Sequence, residues 1–152
     1  MKLKDIIIGA AGALLIREMY KGSSCPVATK SIDINTDNRN DAIANPRIQY
    51  GPLNLSDNQY WQRLAKHWKT SVDVAKNSRC ENCVAFDISP RMLDCIDAGP
   101  VSVEDGEMGA GMLGYCHMHH FKCHSARTCY TWAAGGPITD DKVSKKWQQK
   151  AG

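Results

Sequence analysis

A chain of 152 residues with a net charge of +3 and a pI near 8.5 suits one domain plus appendages. Its Lys and Arg residues are scattered, which gives no basic patch and no support for nucleic acid as a partner. Apolar residues make up 43%, but many of them sit in the first sixteen positions and among the seven cysteines. The remaining core is modest, so a metal that staples it would contribute folding free energy directly.

In chain order, residues 6–16 are an unbroken apolar or glycine run. That is too short to cross a bilayer, which takes about twenty residues. Charged residues follow it and no small-x-small cleavage site appears, so export is not expected. Residues 1–21 therefore read as an apolar helix. It packs into the core, or docks on another protein subunit or a membrane surface. Residues 22–54 are rich in Asn, Asp, Ser and Pro and show no helical period. They are expected as an extended arm or linker that orders along a partner.

The domain proper is expected over 55–137. Ser56-Asp57-Asn58-Gln59 has the form of a capping box, and Tyr60, Trp61, Leu64, Ala65 and Trp68 mark one helical face after it. Thr70-Ser71-Val72-Asp73 starts a second, short helix. Beyond Ser78 come loops, turns and cysteines, with a hint of strand at Val101-Ser102-Val103. Residues 138–152 form a C-terminal helix, from about Asp140 to Gln149.

Six of the seven cysteines lie between Cys80 and Cys129. An odd total argues against a purely disulfide framework. Cys80-Glu81-Asn82-Cys83 places two sulfurs on one tight turn, close enough for one ion or one edge of an iron–sulfur cluster. Two further ligands would come from Cys95, Cys116, Cys123 and Cys129. Histidine widens the choice, because Cys116-x-x-His119 after C-x-x-C is a Cys3His zinc pattern. Cys95 and Cys123 read as buried thiols or a mutual disulfide, and Cys25 as a structural bystander. The carboxylates Asp87, Asp94, Asp97, Glu104, Asp105 and Glu107 read as a solvated acidic loop. No nucleophile–base pair or phosphate loop stands out, so an enzyme is not expected.

Three motifs in order carry a resemblance: Cys80-Glu81-Asn82-Cys83-Val84-Ala85-Phe86, Gly114-Tyr115-Cys116 and Cys129-Tyr130-Thr131-Trp132. Across roughly residues 57–135 the chain resembles high-potential iron–sulfur proteins. It departs from them in a longer stretch from Cys83 to Cys116 and in a His-rich loop before Cys129. The resemblance implies a small, metal-nucleated, loop-rich fold with a few short α-helices. It also implies a [4Fe–4S] cluster on Cys80, Cys83, Cys116 and Cys129, shielded by Phe86, Tyr115 and Trp132. Zn²⁺ is the alternative cofactor, and Cys95, Cys123 and His119 are the alternative ligands. The whole chain also resembles small proteins of marine tailed bacteriophages, through residues 121–129 and Gly135-Gly136-Pro137-Ile138. The expected function is a non-catalytic, cluster-stapled structural component of a phage virion or similar assembly, in the virion or the host cytoplasm. The alternatives are a one-electron carrier, associated with a membrane through residues 6–16, and a zinc-stabilised binding module.

Overall fold

The computed structural model describes residues 24–151 of the protein. The apolar helix expected over residues 1–21 lies outside the described residues. Three short antiparallel strands organise the rest, in the order β1 (Phe86–Asp87), β2 (Leu113–Cys116), β3 (Phe121–His124). Their register sets Phe86 and Phe121 on either side of Cys116, and Cys123 opposite Gly114. Side chains alternate across a strand. Phe86, Gly114, Cys116, Phe121 and Cys123 therefore share one face, while Asp87, Leu113, Tyr115, Lys122 and His124 share the other.

The stretch expected as an extended arm is helical instead: α1 spans Val27–Lys30 and α2 Ile32–Ala44. Ser31 caps α2, its hydroxyl accepting from the Ile34 N–H at 3.3 Å. The missed helix has a physical reason. Its docked side is Asn35, Asn38, Arg39 and Ala42, a helical stripe that is polar except for Ala42. Asn35 Oδ1 accepts from the Lys122 N–H at 2.7 Å, satisfying part of the free edge of β3. Asn38 Nδ2 donates to the His120 carbonyl at 2.7 Å, and Arg39 pairs with Glu104. An apolar-period search cannot see a helix held by hydrogen bonds.

Helix α3 (Asn58–Trp68) buries Tyr60, Trp61, Leu64 and Ala65 against α4 (Val72–Asn77). Its cap is Asp57 rather than Ser56: the Asp57 carboxylate accepts from the Tyr60 N–H at 3.3 Å, while Ser56 sits one residue earlier in a tight turn, its N–H on Asn54 Oδ1. Helix α5 (Pro90–Ala98) starts at Ser89 with proline in the first turn. A Cys25–Cys95 disulfide ties the segment before α1 to it, with the Cα atoms 5.5 Å apart. Cys25 is thus no bystander, and Cys95 pairs with it rather than with Cys123. No strand forms at Val101–Val103. Ser102 instead gives its N–H and hydroxyl to Asp105 at the start of a 3₁₀ segment (Asp105–Ala110). The C-terminal helix α6 covers Asp141–Ala151, and Trp147 on it stacks on His117. The result is a small mixed α/β domain whose largest apolar cluster lies on the cysteine-bearing face of the sheet.

Candidate metal centre

Each cysteine of this face is delivered by a different local device. Cys80–Asn82 is a 3₁₀ turn. The Cys80 N–H donates to the Arg127 carbonyl at 2.7 Å and the Glu81 N–H to Ser125 at 3.0 Å, which anchors the turn on the segment after β3. Asn82 braces it from below. Its Oδ1 accepts from the Arg79 N–H at 3.1 Å and the Trp132 indole N–H at 3.0 Å, and its Nδ2 donates to Asn77. The chain after Cys129 then folds back over the turn. The Val84 N–H donates to Ala133 at 2.8 Å, and Gly136 comes so close that a Cβ there would sit 1.7 Å from the Cys83 carbonyl oxygen. Only glycine fits that crossing.

Cys116 closes β2, and the turn after it returns through His120, whose φ is 60°, with the His120 N–H on the Cys116 carbonyl. Cys123 lies two residues into β3 on the same face. Cys129 follows a segment, Phe121 to Cys129, that is buried throughout.

Five cysteines are free among the described residues: Cys80, Cys83, Cys116, Cys123 and Cys129. All five line one cavity of about 20 Å³. The rest of its wall is Tyr50, Phe86, Met118, His119, Phe121 and Trp132. Phe86 packs on Gly114, where a Cβ would come within 2.5 Å of its ring. Trp132 is pinned by its indole N–H to Arg79 O and Asn82 Oδ1 and packs 5.7 Å from Trp68. Of the residues expected to shield a cluster, Phe86 and Trp132 line the cavity. Tyr115 does not: strand parity turns it to the other face, against Met92 and Ile96 of α5. Of the alternative ligands, Cys123 and His119 line the cavity, whereas Cys95 is held in its disulfide away from it. Phe121, Met118 and Tyr50 were missed. Phe121 shares parity with Cys123 and could have been found that way. Tyr50 comes from the stretch expected as an arm, where nothing marked it.

The His119 N–H donates to Cys116 Sγ at 3.4 Å. The nearby amides of Ala85 and Ala133 beside Cys83, Met118 beside Cys116 and Thr131 beside Cys129 act in the same direction. Such bonds favour the thiolate, while burial opposes it. Burial wins at Cys83, which is raised, and at Cys129, which is pushed up to about 12. Cys123 is raised well above the ordinary thiol range by burial and by its neighbours Cys116 and Cys80. Cys116 moves the other way, because the Cys123 thiol hydrogen-bonds to it and two amides add to the effect. A metal that binds buried thiols must displace their protons.

Among the described residues, no three His, Cys, Asp or Glu side chains come close enough together to hold a single ion. Tetrahedral zinc with Zn–S near 2.3 Å would need its sulfurs within about 3.8 Å of each other. Five cysteine sulfurs on one aromatic-walled cavity are soft donors of the kind that iron–sulfur clusters and zinc both take.

Two other histidines, His117 and His124, have structural partners. His117 is buried with Nε2 2.7 Å from Asp87 Oδ2, and Ser144 donates to the same oxygen. His124 takes the Ala126 N–H on Nδ1, which leaves Nε2–H to donate to the Glu107 carbonyl at 2.8 Å. The acidic stretch is not uniformly solvated either. Glu104 is buried against Arg39, Arg127 and the Tyr50 hydroxyl. No helix among the described residues is long and apolar enough to cross a membrane. Comparison with protein-family models, curated proteins and solved structures gives no match to this chain.

Proposed function

We propose that this chain binds a [4Fe–4S] cluster through Cys80, Cys83, Cys116 and Cys129 and works as a one-electron carrier with no catalytic step of its own. The observation that carries the reading is the gathering of every free cysteine on one cavity walled by aromatic and methionine side chains. Two of the four proposed ligands, Cys116 and Cys129, also have a hydrogen-bonding group on sulfur, the His119 N–H and the Thr131 hydroxyl. Cys123, buried beside Cys80 and Cys116, stays a thiol next to the ligands. A bound cluster supplies a site that gains or loses one electron at a potential set by burial and by hydrogen bonds to sulfur. Cys116, Met118, His119 and Trp132 are only half-buried, which gives an electron a short path to a partner on that side.

The cluster-stapled assembly component keeps one specific support. Val27, Ile32, Ile34 and Ile43 on α1 and α2 are 40–59% exposed, an apolar scatter that another subunit could cover. Its other motive is weaker, because residues 27–44 dock on their own domain rather than extending from it. Anaerobically prepared protein separates the readings. A brown sample with equal iron and sulfide and a reversible one-electron wave is the expected result. The same cluster without a reversible wave favours the staple, and a colourless protein with one zinc per chain rules out both.

A further inference from the structure

We infer that His119 is a positioning residue for the cluster, not a ligand, and that it acts on two ligand cysteines at once; this rests on the cluster site proposed above. Its backbone N–H donates to Cys116 Sγ at 3.4 Å. Its ring Nε2 lies 2.7 Å from Thr131 Oγ1, which in turn lies 3.0 Å from Cys129 Sγ. One residue therefore touches Cys116 directly and Cys129 through a single hydroxyl.

Ligation fixes the direction of this relay. A metal-bound thiolate carries no proton, and a threonine hydroxyl has only one to give. The Thr131 hydroxyl must then donate to Cys129 Sγ and accept from His119 Nε2–H, which selects that tautomer. A ring that already gives Nε2–H to Thr131 does not bind metal through Nε2. The turn that carries the imidazole is held from outside, since Asn38 Nδ2 of α2 donates to the next residue's carbonyl at 2.7 Å. Without the imidazole the Thr131 hydroxyl is free to rotate away from sulfur. Cys129 then loses an aligned donor. Hydrogen bonds to cluster sulfurs stabilise the reduced, more negative state, so their loss lowers the reduction potential.

The test is voltammetry and iron analysis on the full chain carrying its cluster. His119→Ala is expected to keep full iron and sulfide and to shift the potential downwards. His119→Gln, whose amide N–H can replace the donor, should return it towards the wild-type value. Thr131→Val should reproduce the His119→Ala shift, and the double variant should add little to either, as two links of one relay require. Loss of iron in His119→Ala would make the histidine a ligand and overturn the inference. An unmoved potential, or shifts that simply add in the double variant, would overturn it too. Absence of iron from the wild-type protein is a separate result, which would remove the proposed cluster itself.

Discussion

The two faces of the small sheet are both largely buried and are chemically opposite. On one, Asp87 meets His117 and Ser144, Lys122 meets Asp105 and the Pro100 carbonyl, and His124 is bonded at both ring nitrogens. Each of these three side chains has its counterpart inside the protein, as buried polar groups require. On the other face, Cys116 and Cys123 look into a cavity with Cys80, Cys83 and Cys129. Those sulfurs find only amides, one hydroxyl and each other. The contrast teaches that burial of titratable groups does not by itself mark a functional site. What marks it is a concentration of donors that the protein leaves without strong partners.

The largest effect should come from testing which sulfurs the site needs. Cys83→Ser is expected to reduce bound iron to near zero, because serine oxygen is a poor replacement for a thiolate on iron. Cys123→Ser should retain the wild-type iron content while shifting the visible spectrum, since it changes a group beside Cys80 and Cys116 without removing a ligand. Iron analysis of the two proteins side by side decides the matter. Equal loss in both would make Cys123 a ligand and erase the distinction between ligating and neighbouring thiols.

Several elements were legible because their signals are local. The C-x-x-C turn, the Tyr60, Trp61, Leu64, Ala65 stripe and the cap at Ser71 each depend on residues within a few positions of one another. The ion pairs, the edge contact and the disulfide were illegible for the converse reason. Arg39 and Glu104, Lys122 and Asn35, or Cys25 and Cys95 become partners only after long-range folding. A carboxylate in a turn-rich stretch looks solvated until the arginines that bury it arrive from elsewhere. The displacement of Tyr115 from the cavity was readable in principle, since any strand that turns Cys116 inward turns Tyr115 outward.

The ionic side of the contrast can be probed at Glu104. Its Oε1 lies 2.7 Å from Arg39 Nε and 3.1 Å from the Tyr50 hydroxyl, and its Oε2 lies 3.5 Å from Arg127 Nε, an ion-pair contact without hydrogen-bond geometry. The side chain is fully buried and the two arginines are nearly so. Glu104→Ala leaves both guanidiniums and a buried phenol short of a partner. The expected loss is about 3–5 kcal/mol in denaturant unfolding. Tyr50 also walls the cavity, so some loosening of the cluster should accompany it. A loss below about 1 kcal/mol would mean that this charge is solvated and the two faces differ less than their contacts indicate.

A smaller and more selective effect is expected at Asp105, where pH can switch the interaction without a mutation. Burial works to raise its pKa, but the Ser102 hydroxyl and N–H together with Lys122 outweigh it and hold the carboxyl below its ordinary value. The folded pKa is thus depressed relative to the unfolded chain. The resulting stabilisation is fully present above the ordinary carboxylate value, near 3.8, and is lost as pH falls through the folded value. Asp105→Asn should therefore cost about 1 kcal/mol at neutral pH, where it leaves Lys122 with only the Pro100 carbonyl. The gap between variant and wild type should close as both are taken into acid, because the protonated aspartate and the asparagine are then alike in charge. Unfolding curves at pH 7 and near pH 3 measure it directly. A gap that persists undiminished in acid would show that Asp105 contributes through neutral hydrogen bonds alone, and that the charge on Lys122 is compensated by the backbone carbonyl rather than by a carboxylate.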